Sequence, residues 1–159
     1  AHYAFLDENN IVTEVITGKN ENEKRDGETV DWEVWYGNFR GQTCKRTSYN
    51  TAGNVHSDNT KNAFRGNYAG TGYEWDPSEQ VFRPTKGDNP ASWVKNTTTY
   101  DWESPAGLIP DLDPSEILTH YWRWDEDTTQ WEKLEYATPI PQAEYDAAED
   151  KDELLGRKR

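Results

Sequence analysis

The chain has 159 residues, a single cysteine and a net charge of −13. That length predicts one domain able to bury a core without metals or disulfides. The lone thiol, Cys44, excludes an internal disulfide framework and a zinc site built on several thiolates, and it suits a chain made in a reducing cytoplasm.

Charge is unevenly placed. Residues 1–38 carry nine acids against three bases, residues 39–102 six against eight, and residues 103–159 fifteen against six. Phosphate binding rests on clustered Lys and Arg, so no nucleic-acid partner is expected. No run approaches the ~18 apolar residues of a membrane span, and no membrane partner is expected either. The N-terminus lacks the cationic and apolar segments of a secretory signal. A start at Ala1 is expected of a chain whose initiator Met has been removed.

Short runs rich in Val, Ile, Thr, Tyr and Trp lie between Asn, Asp, Gly and Pro clusters, which predicts short strands and tight turns. The expected fold is mainly β: short antiparallel hairpins in one small sheet or a string of hairpin modules, with a C-terminal helix. Three regions follow: an N-terminal β region over 1–72, aromatic hairpin repeats with proline-rich connections over 73–137, and an acidic helical tail over 138–159.

In chain order, residues 1–17 predict a hairpin with strands over 3–6 and 11–16 and a turn at Asp7-Glu8-Asn9-Asn10. Residues 18–31 read as a loop. Strands are expected over 30–36 and 43–49, and a mobile polar loop over 50–61. Gly66-Asn67-Tyr68-Ala69-Gly70-Thr71-Gly72 reads as a bulge or tight turn, not a phosphate cradle.

The pattern aromatic-x-x-(Asp/Asn)-x5-aromatic then occurs three times, over 73–82, 93–102 and 122–131. It predicts a strand reaching an Asp or Asn that opens a turn, with the second aromatic returning near the first. The tetrad Asp-Pro-Ser-Glu is a hairpin turn at 76–79 and a helix start at 113–116, with Asp113 as N-cap and Pro114 at N1. Residues 142–155 predict a helix closed by Gly156, with Arg157, Lys158 and Arg159 at its negative end.

Little in this pattern carries chemistry. Asp125-Glu126-Asp127 is a dense carboxylate group near aromatics, but hairpin-turn chemistry explains it better than a glycosidase pair or a calcium loop. His2, His56 and His120 have no metal-ligand spacing. Cations flanking Cys44 favour a reactive thiolate, against which stands the simpler role of a half-buried strand residue. No catalytic, metal or cofactor residues are assigned, and no enzyme activity is expected. The Trp and Tyr rings are either a sugar-stacking surface or, with so few Leu and Ile, the core itself; the second is favoured.

The ordered set of the opening Ala1-His2-Tyr3-Ala4-Phe5-Leu6-Asp7, Thr47-Ser48-Tyr49-Asn50, Phe64-Arg65-Gly66-Asn67-Tyr68 running into the first repeat, Trp93 with Trp102, and Tyr121-Trp122-Arg123-Trp124-Asp125 resembles a family of small proteins of marine tailed bacteriophages, notably those of cyanobacteria. The likeness covers roughly residues 1–135. Residues 104–119 are longer than usual for it, and the tail after Tyr136 is an addition.

The resemblance implies a non-enzymatic virion structural or accessory protein, made in the cytoplasm of the host bacterium. Capsid-surface decoration is favoured over a tail, neck or fibre role. Its partners would be the major capsid protein or tail and neck proteins, with self-association as a further expectation. Arg40, Lys45, Arg46 and Arg65 are candidates for acidic partner contacts, or else they balance the chain's own acids. Tyr68, Tyr73, Trp93, Trp102, Trp122 and Trp131 would form the hairpin framework. A glycan-binding module for host attachment is the alternative, which requires several solvent-facing rings in one line.

Overall fold

The computed structural model describes residues 1–157; the expectation for Lys158 and Arg159 lies outside them. The fold is mainly β, made of small antiparallel sheets and short helices. The chain forms two compact units, residues 1–89 with 95–102, and residues 90–94 with 103–159.

The first unit is organised by the strand β1 (His2–Leu6), which lies between β2 (Val12–Thr17) and β5 (Thr43–Thr47) in a three-stranded antiparallel sheet. The predicted turn joins β1 to β2: Asp7 Oδ1 accepts the backbone N–H groups of Asn9 and Ile11, and Asn10 takes a left-handed φ of 61°. As the central strand, β1 is buried on both faces. Ala4 and Leu6 join Val12, Ala69, Trp75 and Phe82 in one cluster, and Tyr3 and Phe5 join Trp32 and Cys44 in another. Alternation along one strand therefore feeds two cores.

Between β2 and β5 the structure corrects two expectations. The stretch read as a loop over 18–31 contains the hairpin β3 (Lys24–Arg25) and β4 (Glu28–Thr29), with Asp26 and Gly27 both at positive φ, as a two-residue loop following the right-handed strand twist requires. The strand expected over 30–36 is instead the helix α1 (Trp32–Arg40). Asp31 caps it by accepting the N–H of Val34, and Gly41 ends it at φ 73° with its N–H on the Gly37 carbonyl. Trp32, Trp35, Tyr36 and Phe39 are spaced i, i+3, i+4, i+7, and on a helix they share one stripe. Their strand propensity is overridden by the caps and by packing against Tyr3.

Helix α1 lies so close to β5 that a Cβ at Gly37 would stand 2.9 Å from the Gln42 carbonyl oxygen. Gly37→Ala should therefore destabilise by about 1–3 kcal/mol despite alanine's better helix propensity. Asn38→Ala, on the exposed side, should be close to neutral; urea unfolding curves of the two variants check this.

The polar stretch 50–61 is likewise not a free loop. It holds the hairpin β6 (Thr51–Ala52) and β7 (Val55–His56) around Gly53 and Asn54, both at positive φ. Asn67 Oδ1 accepts the Gly53 N–H at 2.7 Å, the Asn54 N–H reaches the Gly66 carbonyl at 2.8 Å, and Thr51 is buried.

The three repeats are hairpins of one design. They are β8 (Glu74–Asp76) with β9 (Val81–Arg83), β10 (Val94–Lys95) with β11 (Trp102–Glu103), and β12 (His120–Asp125) with β13 (Gln130–Glu135). In each, the Asp or Asn side chain accepts two backbone N–H groups: Asp76 from Ser78 and Glu79, Asn96 from Thr98 and Thr99, and Asp125 from Asp127 and Thr128. The residue four positions on is left-handed each time: Gln80, Tyr100 and Thr129, at φ 59°, 56° and 51°.

The aromatic pairing is shifted from the expected one. The ring opposite Phe82 is Trp75, not Tyr73, and the ring opposite Trp131 is Trp124, not Trp122. Closing the register at the Asp puts the preceding residue across from the returning aromatic.

In the second unit Trp93, Trp124 and Trp131 meet edge to face at centroid distances of 5.2–6.2 Å. A 3₁₀ turn at Pro114–Glu116 is capped by Asp113, as its tetrad predicts. The tail helix expected over 142–155 is broken in two, α2 (Gln142–Ala147) and α3 (Lys151–Leu154). Ala148 is extended, and Asp150 caps a new start by accepting the Glu153 N–H at 3.0 Å. An Asp that can restart a helix competes with continuing one.

Candidate functional site

The four cations singled out from the sequence all lie in the first unit, and each meets a group of its own unit. Arg40 pairs with Glu14, and its guanidinium lies 4.2 Å from the Phe5 ring centroid. Lys45 lies over the Trp75 ring at 5.5 Å. Arg46 pairs with Glu21 at 2.8 Å and covers the Phe64 ring at 4.0 Å. Arg65 pairs with Glu33 and donates to the Arg46 carbonyl at 2.9 Å.

Glu33 links this set. From the first turn of α1 it accepts both Arg65 and the backbone N–H of Arg46, at 2.6 Å for the latter. At Arg46 the outward-facing backbone of β5 is thereby closed on N–H and C=O alike, a device that hides a sheet edge. Three of the four cations therefore have an acid of the chain itself as a partner.

The framework aromatics are distributed between the units. Tyr68 meets the His2 ring edge-on at 5.6 Å, and Tyr73 packs against the cluster of Leu6 and Phe82. Trp102 donates its indole N–H to the Pro84 carbonyl at 2.8 Å, with Lys86 and Lys95 near its ring. In the second unit Trp131 donates to the Gly107 carbonyl at 3.1 Å, and Lys133 lies 5.7 Å from the Trp122 ring. Glu126 accepts the Trp124 indole and both the N–H and hydroxyl of Ser92, fixing Trp93 in its neighbourhood. Every one of the eight tryptophans is buried or half-buried, and Trp32 and Trp75 belong to the two core clusters.

Cys44 is 5 % exposed on β5. Burial, reinforced by the Glu33 charge, pushes its thiol up to about 12, against the opposing pull of Lys45, Arg65 and Arg40. The flanking cations do not make a thiolate of it. Native protein should leave Ellman's reagent unreacted, and unfolding in guanidinium should release one reactive thiol per chain; fast native reaction would contradict the buried placement.

Sequence reasoning missed the exposed face of α1. Phe39 is 77 % exposed at the end of the aromatic stripe, and Val34, on another side of the helix, is 56 % exposed. Phe39 is nevertheless ordered by stacking: its ring lies parallel to Trp35 at 5.5 Å and 5°, and Arg25 covers Trp35 at 4.8 Å. The signal was present in the spacing of Trp32, Trp35, Tyr36 and Phe39, which only makes one face once the segment is helical.

Among the described residues no group of three His, Cys, Asp or Glu could hold a metal ion, and no helix is long and apolar enough to cross a membrane. No protein-family model matches the sequence, and neither a curated protein nor a solved structure shows significant similarity to it.

Proposed function

We propose that the protein is a non-enzymatic structural or accessory component of a phage virion, docked on the capsid surface as a decoration protein. The family resemblance supplies the virion context. The observation that carries the docking role is the ridge on α1. A ring as open as Phe39, already stacked on Trp35 and backed by Arg25, offers apolar area to a partner at little ordering cost. The cations one would otherwise assign to acidic partners are engaged within the first unit, so the apolar ridge is the better contact. A strongly acidic chain also resists indiscriminate association away from its site.

Quantitative mass spectrometry of purified particles of the encoding phage tests this. A copy number comparable with that of the major capsid protein supports decoration. A count of only a few per particle moves the protein to the neck, tail or fibres. Absence from the particle overturns the virion role altogether.

A further inference from the structure

The longest hairpin has an open edge. The Tyr136 N–H reaches the Thr119 carbonyl at 2.8 Å, continuing the β12–β13 ladder by one pair. Antiparallel alternation then turns the backbone of Tyr121, Arg123 and Asp125 towards β13, and that of His120, Trp122 and Trp124 outwards. Among the described residues none of those three outward N–H or C=O groups of β12 has a backbone or side-chain partner.

Other edges are covered in part. Glu33 and Arg65 cap the outer side of β5 at Arg46, and Tyr73 and Gly72 cover the start of β2 at Val12. The outward backbone of β13 belongs to Trp131, Lys133 and Glu135, and charged residues in an edge strand oppose pairing. The outward residues of β12 are all aromatic: His120, Trp122 and Trp124. A two-stranded sheet is marginal in water, and three or more strands are needed for independent stability.

We infer that β12 pairs antiparallel with β12 of a second copy about a two-fold axis at Trp122, forming a four-stranded sheet β13-β12-β12-β13. The sequence fits itself in that register. Trp122 faces the partner's Trp122, His120 faces the partner's Trp124, and Tyr121 faces the partner's Arg123. Each of His120, Trp122 and Trp124 then exchanges its N–H and C=O with the other copy. No like charges stand directly opposite, and two arginine–tyrosine pairs form, one on each side of the axis. An isologous contact of this kind closes on itself and cannot run on into a filament. The inference does not depend on the virion role.

Sedimentation velocity of the full chain over a range of concentrations, paired with amide hydrogen exchange by NMR, tests it. The expected result is a monomer–dimer equilibrium in which the amides of His120, Trp122 and Trp124 gain protection with the dimer, while those of Trp131, Lys133 and Glu135 do not. Because residues 103–159 carry fifteen acids against six bases, added salt should tighten the dimer. Arg123→Glu should weaken it roughly tenfold by removing both arginine–tyrosine pairs. Arg123 also pairs within the chain with Glu132 at 2.9 Å, so Glu132→Gln, which breaks that pair alone, should leave the dimer intact. A monomer at every concentration overturns the inference, and so does a dimer whose new protection falls outside β12. Protection of β12 that arises only on adding another virion protein assigns the edge to that protein instead.

Discussion

Phe82→Ala should destabilise the protein by about 3–5 kcal/mol, a large share of the roughly 5–15 kcal/mol that holds a typical domain folded. Phe82 is fully buried in β9. Its ring meets Trp75 at 4.8 Å, and its cluster includes Ala4 and Leu6 of β1, Val12 of β2 and Ala69. The truncation leaves a cavity bounded by β1, Trp75 and the backbone of the loop after Gly66. Gly66 itself, at φ 76° and within 3.1 Å of the Val81 Cβ were it given a side chain, has no room to move in. Little collapse can offset the loss, so the cost belongs at the upper end. Phe82→Leu, which keeps most of the volume, should cost far less. Urea unfolding followed by far-UV circular dichroism reads both. A cost below about 1 kcal/mol for the alanine variant would place Phe82 outside the core and with it the first hairpin repeat.

That core was legible in the sequence in kind but not in arrangement. The opening hairpin could be read because Asp7 and Asn10 have turn chemistry and the flanking residues are apolar. The three repeats could be read because Asp76, Asn96 and Asp125 sit at a fixed distance from a returning aromatic. What could not be read was which ring faces which. That depends on register, and a shift of one position moves every side chain to the other face. Helix α1 was hidden by propensity: Val34, Trp35 and Tyr36 favour strands singly, and the helix is disclosed by Asp31 and Gly41 at the ends together with the spacing of Trp32, Trp35, Tyr36 and Phe39. The cations were ambiguous because their partners, Glu14, Glu21 and Glu33, are remote in sequence. The open edge of β12 has no sequence signal of its own, since it is defined by what fails to pair with it.

The repeated turn allows a sharper experiment than any one hairpin would. Asp76→Asn should cost about 2–4 kcal/mol, whereas Asp125→Asn should cost less than about 0.5 kcal/mol. In both, the new amide oxygen can still accept the two turn N–H groups, as Asn96 does from Thr98 and Thr99. The turn therefore survives in either variant. The difference lies in the second carboxylate oxygen. At Asp76 it holds the Nη2 of Arg83, whose side chain is 4 % exposed on β9, and the substitution strips a hydrogen-bonded charge from a buried guanidinium. Glu74, 3.4 Å from the Arg83 Nε, retains part of the compensation, which keeps the cost short of that for a fully orphaned ion. At Asp125 no buried cation depends on the carboxylate.

The pH dependence follows from the same contacts. Burial raises the Asp76 pKa, but the N–H groups of Glu79 and Ser78 and the charges of Arg83 and Lys95 outweigh it, leaving the carboxyl below its usual range. A carboxyl with a depressed folded pKa stabilises fully above its unfolded value and loses that contribution as pH falls through the folded one. The gap between wild type and Asp76→Asn should thus be widest at neutral pH and narrow below about pH 4. Urea midpoints at neutral and acid pH measure this trend. Equal losses at the two positions would mean that the turn, and not the buried arginine, is what Asp76 supports.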